Sequence, residues 1–150
     1  SFDWALSGLD TERPTEDWTA LGVAPRNGPL APGLGASILL PQGRKGPAFL
    51  VYPNYRVLFE WNQSFVYVTT AAYFGTRIEG AQPYAAGSPD PALAVDQMTA
   101  LQEKLAAHGH DVGKIDGILG AGTRTAVQKE QIRLGLPADG WPTRGLLDAL

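Results

Sequence analysis

Residues 61–67 place two aromatic rings and two polar side chains within one short segment. Trp61 and Tyr67 have ring faces on which a sugar can stack. The amide of Asn62 offers two donors and an acceptor, which suits the polar edge of an acetamido sugar, and Ser64 follows it closely. These residues also have structural uses, because Asn62 and Ser64 could cap a turn or a helix and both rings could fill a core. The segment is a candidate ligand site with these alternatives open.

The acidic residues do not form a pattern that predicts a catalytic acid. Glu60 precedes Trp61, but a single carboxylate in a plausible strand is usually a solvated side chain, and a lone acidic residue is a weak motif for catalysis. Glu12, Glu16 and Asp17 are better explained as a favourable start of a helix, where negative charge meets the positive end of the helix dipole. We therefore assign no catalytic residue within this chain.

His108 and His110 lie on either side of Gly109. Two nearby imidazoles without a third ligand at a suitable spacing are weak evidence for zinc. The segment is better interpreted as the end of a helix that runs into a turn. The sequence therefore predicts no metal site, and nothing in it indicates a cofactor.

The elements around residues 61–67 follow from the periodicity of the apolar residues. Residues 15–21 predict a short helix that ends at Gly22. Two β-rich runs, 36–40 and 48–52, are separated by Pro and Gly residues and predict a hairpin. Residues 54–61 alternate partly, which predicts a third strand or an extended lead-in.

Residues 64–79 have the spacing of a helix, and Gly80 can end it. Apolar residues occupy two faces of this helix. The faces are formed by Tyr67, Ala71, Phe74 and Ile78 and by Phe65, Val68 and Ala72. Because both faces are apolar, the pattern predicts a buried helix.

A stretch rich in Pro, Gly and Ala, without apolar periodicity, divides the chain. We place a first domain at residues 1–82, a linker at 83–92 and a second domain at 93–150. The order of the predicted elements indicates an α+β fold, with a small hairpin in the first domain and three helices in the second.

The second domain contains an internal repeat. Gln102 and Gln128 are each followed seven residues later by a glycine, then by an Asp-Gly pair and a Thr-Arg pair. In Asp116-Gly117 and Asp139-Gly140 the carboxylate can accept backbone N–H groups while the glycine takes a positive φ. The repeat therefore predicts two similar turns.

Three short helices are expected around these turns. The first ends at Gly109, the second covers about 121–134 and the third covers 142–150. Their buried residues are predicted to be Met98, Leu101, Leu105, Val127, Leu134, Leu146, Leu147 and Leu150.

Composition excludes several classes of protein. The 150 residues are 44% hydrophobic and 18% charged, which is a globular balance, and the net charge of −3 provides no basic surface for nucleic acid. The chain has no cysteine, which excludes disulfides and thiolate chemistry. The lack of cysteine fits both reducing and oxidising compartments. It begins at Ser1 without a signal sequence, so we expect it to be processed or part of a longer polypeptide.

The second domain resembles the peptidoglycan-binding module of bacterial wall hydrolases, and the match covers residues 93–150. One position departs from the pattern, because Glu130 stands where the family usually has an aromatic residue before the glutamine of its second helix. The matching segments are Leu101-Gln102-Glu103-Lys104-Leu105, Gly109, Asp116-Gly117-Ile118-Leu119-Gly120, Thr123-Arg124-Thr125-Ala126-Val127, Gln131, Gly135-Leu136-Pro137 and Asp139-Gly140. The resemblance implies a glycan contact near Asp116, Gly117, Thr123 and Trp141.

Residues 1–82 resemble the last part of the catalytic domain of lytic murein transglycosylases of the membrane-bound B type. The resemblance is carried by residues 46–55 and by Trp61-Asn62-Gln63-Ser64-Phe65-Val66-Tyr67, where the family typically has Tyr-Asn-x-Ser-x-x-Tyr. Trp61 replaces the first tyrosine, which keeps a ring but loses the phenol. The resemblance implies a lysozyme-like fold and a substrate-binding role for Trp61, Asn62, Ser64 and Tyr67.

In this family, one glutamate cleaves the MurNAc–GlcNAc bond and leaves a 1,6-anhydro end. No Glu of this chain matches that position, so the resemblance implies a chain that is inactive alone and needs the upstream part of its catalytic domain. The expected partners are peptidoglycan glycan strands and other cell-wall enzymes, in the periplasm, with a lipid anchor outside this chain. A non-catalytic wall-binding protein and a protein-protein adaptor are the alternatives.

Overall fold

The computed structural model describes residues 2–26, 28–62 and 64–150, and these residues form the predicted α+β fold. Strands β1, β2 and β3 cover Arg13–Pro14, Gly35–Leu39 and Phe49–Val51, and a 3-10 helix covers Trp4–Leu6. Helices α1 to α6 cover Thr15–Ala20, Pro53–Trp61, Phe65–Ile78, Val95–Ala107, Ala121–Arg133 and Arg144–Ala149. The chain divides into two compact units. The first extends to Leu39 and resumes at Ala48–Pro83, and the second contains Leu40–Pro47 and Tyr84–Leu150.

The first unit confirms the predicted hairpin. β2 and β3 pair antiparallel with Ile38 opposite Leu50, and β1 pairs with the other edge of β2. The short helix α1 packs through Trp18, which is fully buried and donates its indole N–H to the carbonyl of Ala36 at 2.8 Å. An indole that is buried with its N–H satisfied stabilises the contact between α1 and the sheet.

The prediction of a strand or extended segment at residues 54–61 was wrong, because this segment is helix α2. Pro53 lies in its first turn, where a missing N–H removes no helical hydrogen bond. Tyr55 and Phe59 are four residues apart and pack on one core cluster together with Leu39. A segment of nine residues contains too few turns to distinguish a helical period from partial alternation.

Helix α3 confirms the helix predicted at residues 64–79. Ser64 caps its start, and Gly80 follows its end with a φ of 91°. The prediction of burial on both faces was wrong. Phe65 and Val68 are buried, but Phe74 and Ile78 are 64% and 73% exposed.

The second unit is organised around one apolar core, and it confirms the three predicted helices. Met98, Leu101 and Leu105 of α4 pack with Val127 of α5 and Leu146 of α6, and Leu134 and Leu150 lie at the margin of this core. No helix of the described residues is long and apolar enough to cross a membrane.

Candidate functional site

The corner between α2 and α3 carries the candidate ligand residues. Asn62 Oδ1 accepts the backbone N–H of Ser64 at 2.9 Å, and Ser64 Oγ accepts the backbone N–H of Tyr67 at 3.3 Å. Both side chains therefore have the structural roles that the sequence left open, as a turn and as a helix cap. Gln63, which stands between them in the motif, lies outside the described residues.

The two aromatic rings of the corner are exposed. Trp61 is 74% exposed and Tyr67 is 50% exposed, and their ring centroids lie 6.0 Å apart at an interplanar angle of 46°. Neither ring therefore belongs to the core formed by the described residues. Two accessible rings at this separation provide apolar faces against which the C–H face of a sugar can pack.

Asn62 lies between the rings in sequence and is partly exposed. Its oxygen is used in the turn, whereas its amide nitrogen makes no hydrogen bond to the described residues. A side-chain amide nitrogen has two donors, and both suit the carbonyl of an acetamido group or a hydroxyl oxygen. The corner thus brings donors and stacking faces together.

Three carboxylates of the first unit, Glu12, Glu16 and Glu60, lie in polar or exposed environments. Glu60 is exposed on α2, whereas a glycosidase acid needs an apolar enclosure. Glu12 pairs with Arg56 at 3.3 Å. Hydrogen bonds from its own backbone N–H and from that of Gly33 lower the pKa of Glu16, which is the wrong direction for a general acid.

In the second unit, a buried glutamine holds the first Asp-Gly turn. Gln102 is fully buried, and its Oε1 accepts the N–H groups of Asp116 and Gly117 at 3.1 and 2.9 Å. Its Nε2 lies 3.0 Å from the carbonyl oxygen of Ile118 and 3.2 Å from that of Lys114. The amide therefore fixes both sides of the turn, with Gly117 at a φ of 74°.

Gln131 holds the second Asp-Gly turn in the same way. Its Oε1 accepts the N–H of Gly140 at 2.9 Å, and its Nε2 donates to Asp139 Oδ1 at 2.9 Å and to the carbonyl of Trp141 at 3.2 Å. The repeat in the sequence pairs Gln102 with Gln128, but the structure gives the corresponding role to Gln131. Gln128 donates to the carbonyl of Ala138 at 3.0 Å and does not hold the turn through the contacts that Gln131 makes.

The four module residues implied by the resemblance have different environments. Asp116 is exposed and accepts the N–H of Ile118 at 2.9 Å, and Gly117 is partly exposed beside it. Thr123 is fully buried and donates its hydroxyl to the carbonyl of Val112 at 3.3 Å. Trp141 is 9% exposed. The structure thus keeps Asp116 and Gly117 accessible and gives Thr123 and Trp141 internal contacts.

His108 and His110 surround the carboxylate of Glu130 rather than an open site. Glu130 is 3% exposed and lies 2.7 Å from His110 Nε2, 3.6 Å from His108 Nδ1 and 2.6 Å from Arg133 Nη2. The hydrogen bond from Arg133, together with that from His110, lowers the pKa of Glu130 to about 2. No group of three His, Cys, Asp or Glu side chains in the described ranges is arranged to hold a metal ion.

The ionic cluster explains how the helix accepts Glu130 at a position where the family usually has an aromatic residue. A buried carboxylate is tolerated when charged or polar donors surround it, and here three side chains do so. Glu130 therefore makes a charged contact between α5 and the residues that follow α4.

Comparison with known families identifies the class of protein. Residues 1–76 match the transglycosylase SLT domain, and residues 95–150 match a peptidoglycan binding domain. The chain belongs to the transglycosylase SLT family and carries a peptidoglycan-binding domain after its SLT portion. Both assignments confirm the resemblances found in the sequence. No curated protein sequence matches the chain significantly.

Two solved structures of SltB3 from Pseudomonas aeruginosa are similar to this chain. One is a complex with NAG-anhNAM-pentapeptide and the other a complex with NAG-NAM-pentapeptide. Each is 40% identical, with a TM-score of 0.80 over 99% of this chain. This chain spans 41% of the length of the SltB3 chain.

Proposed function

We propose that this chain is the C-terminal part of a lytic transglycosylase that cleaves the MurNAc–GlcNAc bond of peptidoglycan and leaves 1,6-anhydro-MurNAc ends. The observation that carries the proposal is the exposed corner of Trp61, Asn62 and Tyr67, within a segment that matches the SLT family. Asn62 would hold an acetamido or hydroxyl group while the rings pack against a sugar face.

The acid and base of the reaction would come from a glutamate outside this chain. That residue protonates the glycosidic oxygen and then accepts the proton of the muramic 6-hydroxyl, whose oxygen bonds to the anomeric carbon in place of water. Such an acid needs a raised pKa. In the described residues the buried glutamate is Glu130, whose pKa is lowered, so we expect the chain alone to be inactive.

The exposed apolar face of α2 and α3 supports a partner within the same catalytic domain. Val57 on α2 and Val66, Phe74 and Ile78 on α3 are between 64% and 73% exposed, and burying such apolar side chains against further protein would be favourable. The match covers 99% of this chain but 41% of the SltB3 chain, so the SltB3 chain is more than twice as long. We propose that the upstream part of the catalytic domain packs on this face.

The second unit would bind the peptidoglycan strand and keep the catalytic cleft near its substrate. A linked binding module raises the local substrate concentration without changing the chemistry. Activity on cell-wall glycan would place the protein in the periplasm, with a lipid anchor supplied outside this chain. Other cell-wall enzymes are further candidate partners.

Co-sedimentation with purified insoluble peptidoglycan tests both parts of the proposal. We expect the 150-residue chain to sediment with the wall and to release no anhydro-muropeptides, as measured by mass spectrometry of the supernatant. An active lytic transglycosylase on the same material provides the positive control. Release by this chain would contradict the absence of the acid, and a failure to sediment would favour the adaptor.

A chimera tests the role of the corner in catalysis. The chain would replace the matching 41% of the SltB3 chain, with the rest of that protein unchanged. We expect the chimera to release anhydro-muropeptides, and Trp61→Ala to lower kcat/KM roughly tenfold, since an aromatic contact contributes about 1 kcal/mol. Tyr84→Ala removes another exposed aromatic ring and serves as the control. Equal rates for the two variants would contradict a substrate contact at Trp61.

A further inference from the structure

The second unit consists of Tyr84–Leu150 and of an earlier segment of eight residues, Leu40–Pro47. The backbone of this segment forms hydrogen bonds with side chains of residues 84–150. Arg124 donates through Nη2 to the carbonyl of Pro41 at 2.7 Å and through Nη1 to that of Leu40 at 3.4 Å. Asp139 Oδ2 accepts the backbone N–H of Arg44 at 3.0 Å. Segment 40–47 is therefore held at both ends of its turn.

The fit is also steric. Gly43 is buried at a φ of 71°, and a Cβ on it would approach the Cβ of Trp141 to 2.6 Å. Arg124 lies 5.8 Å from the centroid of the Trp141 ring, on which its guanidinium can stack. The indole N–H donates to the carbonyl of Asp90 at 3.1 Å, so the tryptophan is fixed where the glycine meets it.

Residues 88–90 also contact the segment. The backbone N–H of Ser88 donates to the carbonyl of Lys45 at 2.9 Å, and Lys45 Nζ lies 2.7 Å from Asp90 Oδ1. Segment 40–47 thus contacts Arg124, Asp139 and Trp141 as well as residues 88–90.

We propose that Arg124, Asp139 and Trp141 form a docking surface for the chain's own residues 40–47, and that the second Asp-Gly turn is consequently not available to glycan. The proposal rests on the proposed glycan binding of the module. It narrows that binding to the first turn, where Asp116 is exposed and Gly117 is partly exposed. The first Asp-Gly turn would therefore bind glycan, and the second binds residues 40–47.

Trypsin measures the docking directly, because Arg44 and Lys45 are exposed cleavage sites within the segment. In the 150-residue chain, we expect Arg124→Ala to speed cleavage after these residues roughly tenfold. The variant removes two hydrogen bonds and a ring contact that hold the segment against the rest of the unit and so limit the local unfolding that cleavage needs. Cleavage after Lys114, in another exposed loop, provides the internal reference and should not change. Arg144→Ala removes an exposed arginine of α6 and is the matched control.

A glycine pair gives a second, independent variant. Gly43 and Gly113 have φ values of 71° and 70°, but an added Cβ at Gly113 meets no atom within 4 Å. Both alanine variants therefore carry the same backbone strain, and only Gly43→Ala should speed cleavage after Lys45. Unchanged cleavage in both Arg124→Ala and Gly43→Ala would overturn the docking.

Co-sedimentation of the same variants separates this inference from the proposed function. We expect Arg124→Ala to sediment with peptidoglycan like the wild type while its segment 40–47 is cleaved faster. Loss of sedimentation without faster cleavage would show that Arg124 contacts glycan, which overturns the inference. If the wild type does not sediment, the proposed function fails, and the cleavage rates still decide the docking.

Discussion

Helices α3 and α4 have similar lengths, 14 and 13 residues, but they bury their side chains very differently. α4 directs Met98, Leu101 and Leu105 into a closed core, and its buried Gln102 is fully hydrogen-bonded. α3 buries Phe65 and Val68 and leaves a second apolar face in solvent. The buried residues of α4 thus find their partners within the second unit, whereas the exposed face of α3 is suited to contact with further protein. Mutations at the buried positions of α4 should therefore have large effects, and mutations on the exposed face of α3 should have small ones.

The largest effect is expected for Gln102→Leu. Leucine cannot pair with the N–H groups of Asp116 and Gly117 or with the carbonyl of Ile118, and each buried polar group that loses its partner costs about 1–3 kcal/mol. We expect a loss of about 4 kcal/mol in the free energy of unfolding of the second unit, measured by urea denaturation. Glu103→Leu alters the exposed neighbouring position and should change stability little.

A matched pair of truncations tests the comparison itself. Leu101→Ala should destabilise the second unit by about 3 kcal/mol, because the side chain is fully buried and its removal leaves a cavity. Ile78→Ala, at a side chain 73% exposed, should change stability by less than about 0.5 kcal/mol. A cost at Ile78 close to that at Leu101 would mean that the α3 face is already covered in this chain.

Acid should weaken the second unit through Glu130. Its pKa is lowered from 4.5 to about 2 in the fold, so its stabilisation is present above pH 4.5 and is lost as the pH falls toward 2. The shift corresponds to at most about 3 kcal/mol. Glu130→Gln should flatten the dependence of unfolding on pH in this window, and Glu103→Gln should leave it unchanged. An unaltered slope in Glu130→Gln would show that other carboxylates set the acid limit.

The smallest effect is expected at a helix start. Thr143 Oγ1 accepts the backbone N–H of Leu146 at 3.2 Å at the beginning of α6, and loss of such a cap costs about 1 kcal/mol. Thr143→Ala should lower the free energy of unfolding by that amount, whereas Thr143→Ser should preserve it. Equal losses in both variants would indicate that the threonine methyl group, and not the cap, stabilises the turn.

Local signals in the sequence were sufficient for most elements. β-Forming runs separated by Gly and Pro predicted the hairpin, and apolar spacing with terminal glycines predicted α3 to α6. The helical spacing in α3 could not reveal which of its faces would be covered, since that depends on the surrounding fold. In α2, the burial of Tyr55 and Phe59 on one core depends on tertiary contacts that a partial alternation does not report.

The candidate site was predictable in composition but not in accessibility. From the sequence, Trp61 and Tyr67 could have been core residues, and only the structure shows that both are exposed. Similarly, the repeat indicated two Asp-Gly turns but associated the second turn with Gln128, which lies seven residues before Gly135. This spacing does not determine whether the amide of Gln128 or that of Gln131 points toward the turn. Gln131 is the residue that does so. Segment 40–47 had no signal at all, since its contacts join residues more than 80 positions apart.

The attachment of residues 40–47 affects how portable the binding module is. A fragment excised at residue 84 would leave behind the segment that covers Trp141 and pairs with Arg124 and Asp139. Its indole and the second turn would then be open to water, and the fragment would be prone to self-association. Transplanting the module intact would require grafting two separate pieces of sequence, residues 40–47 and 84–150.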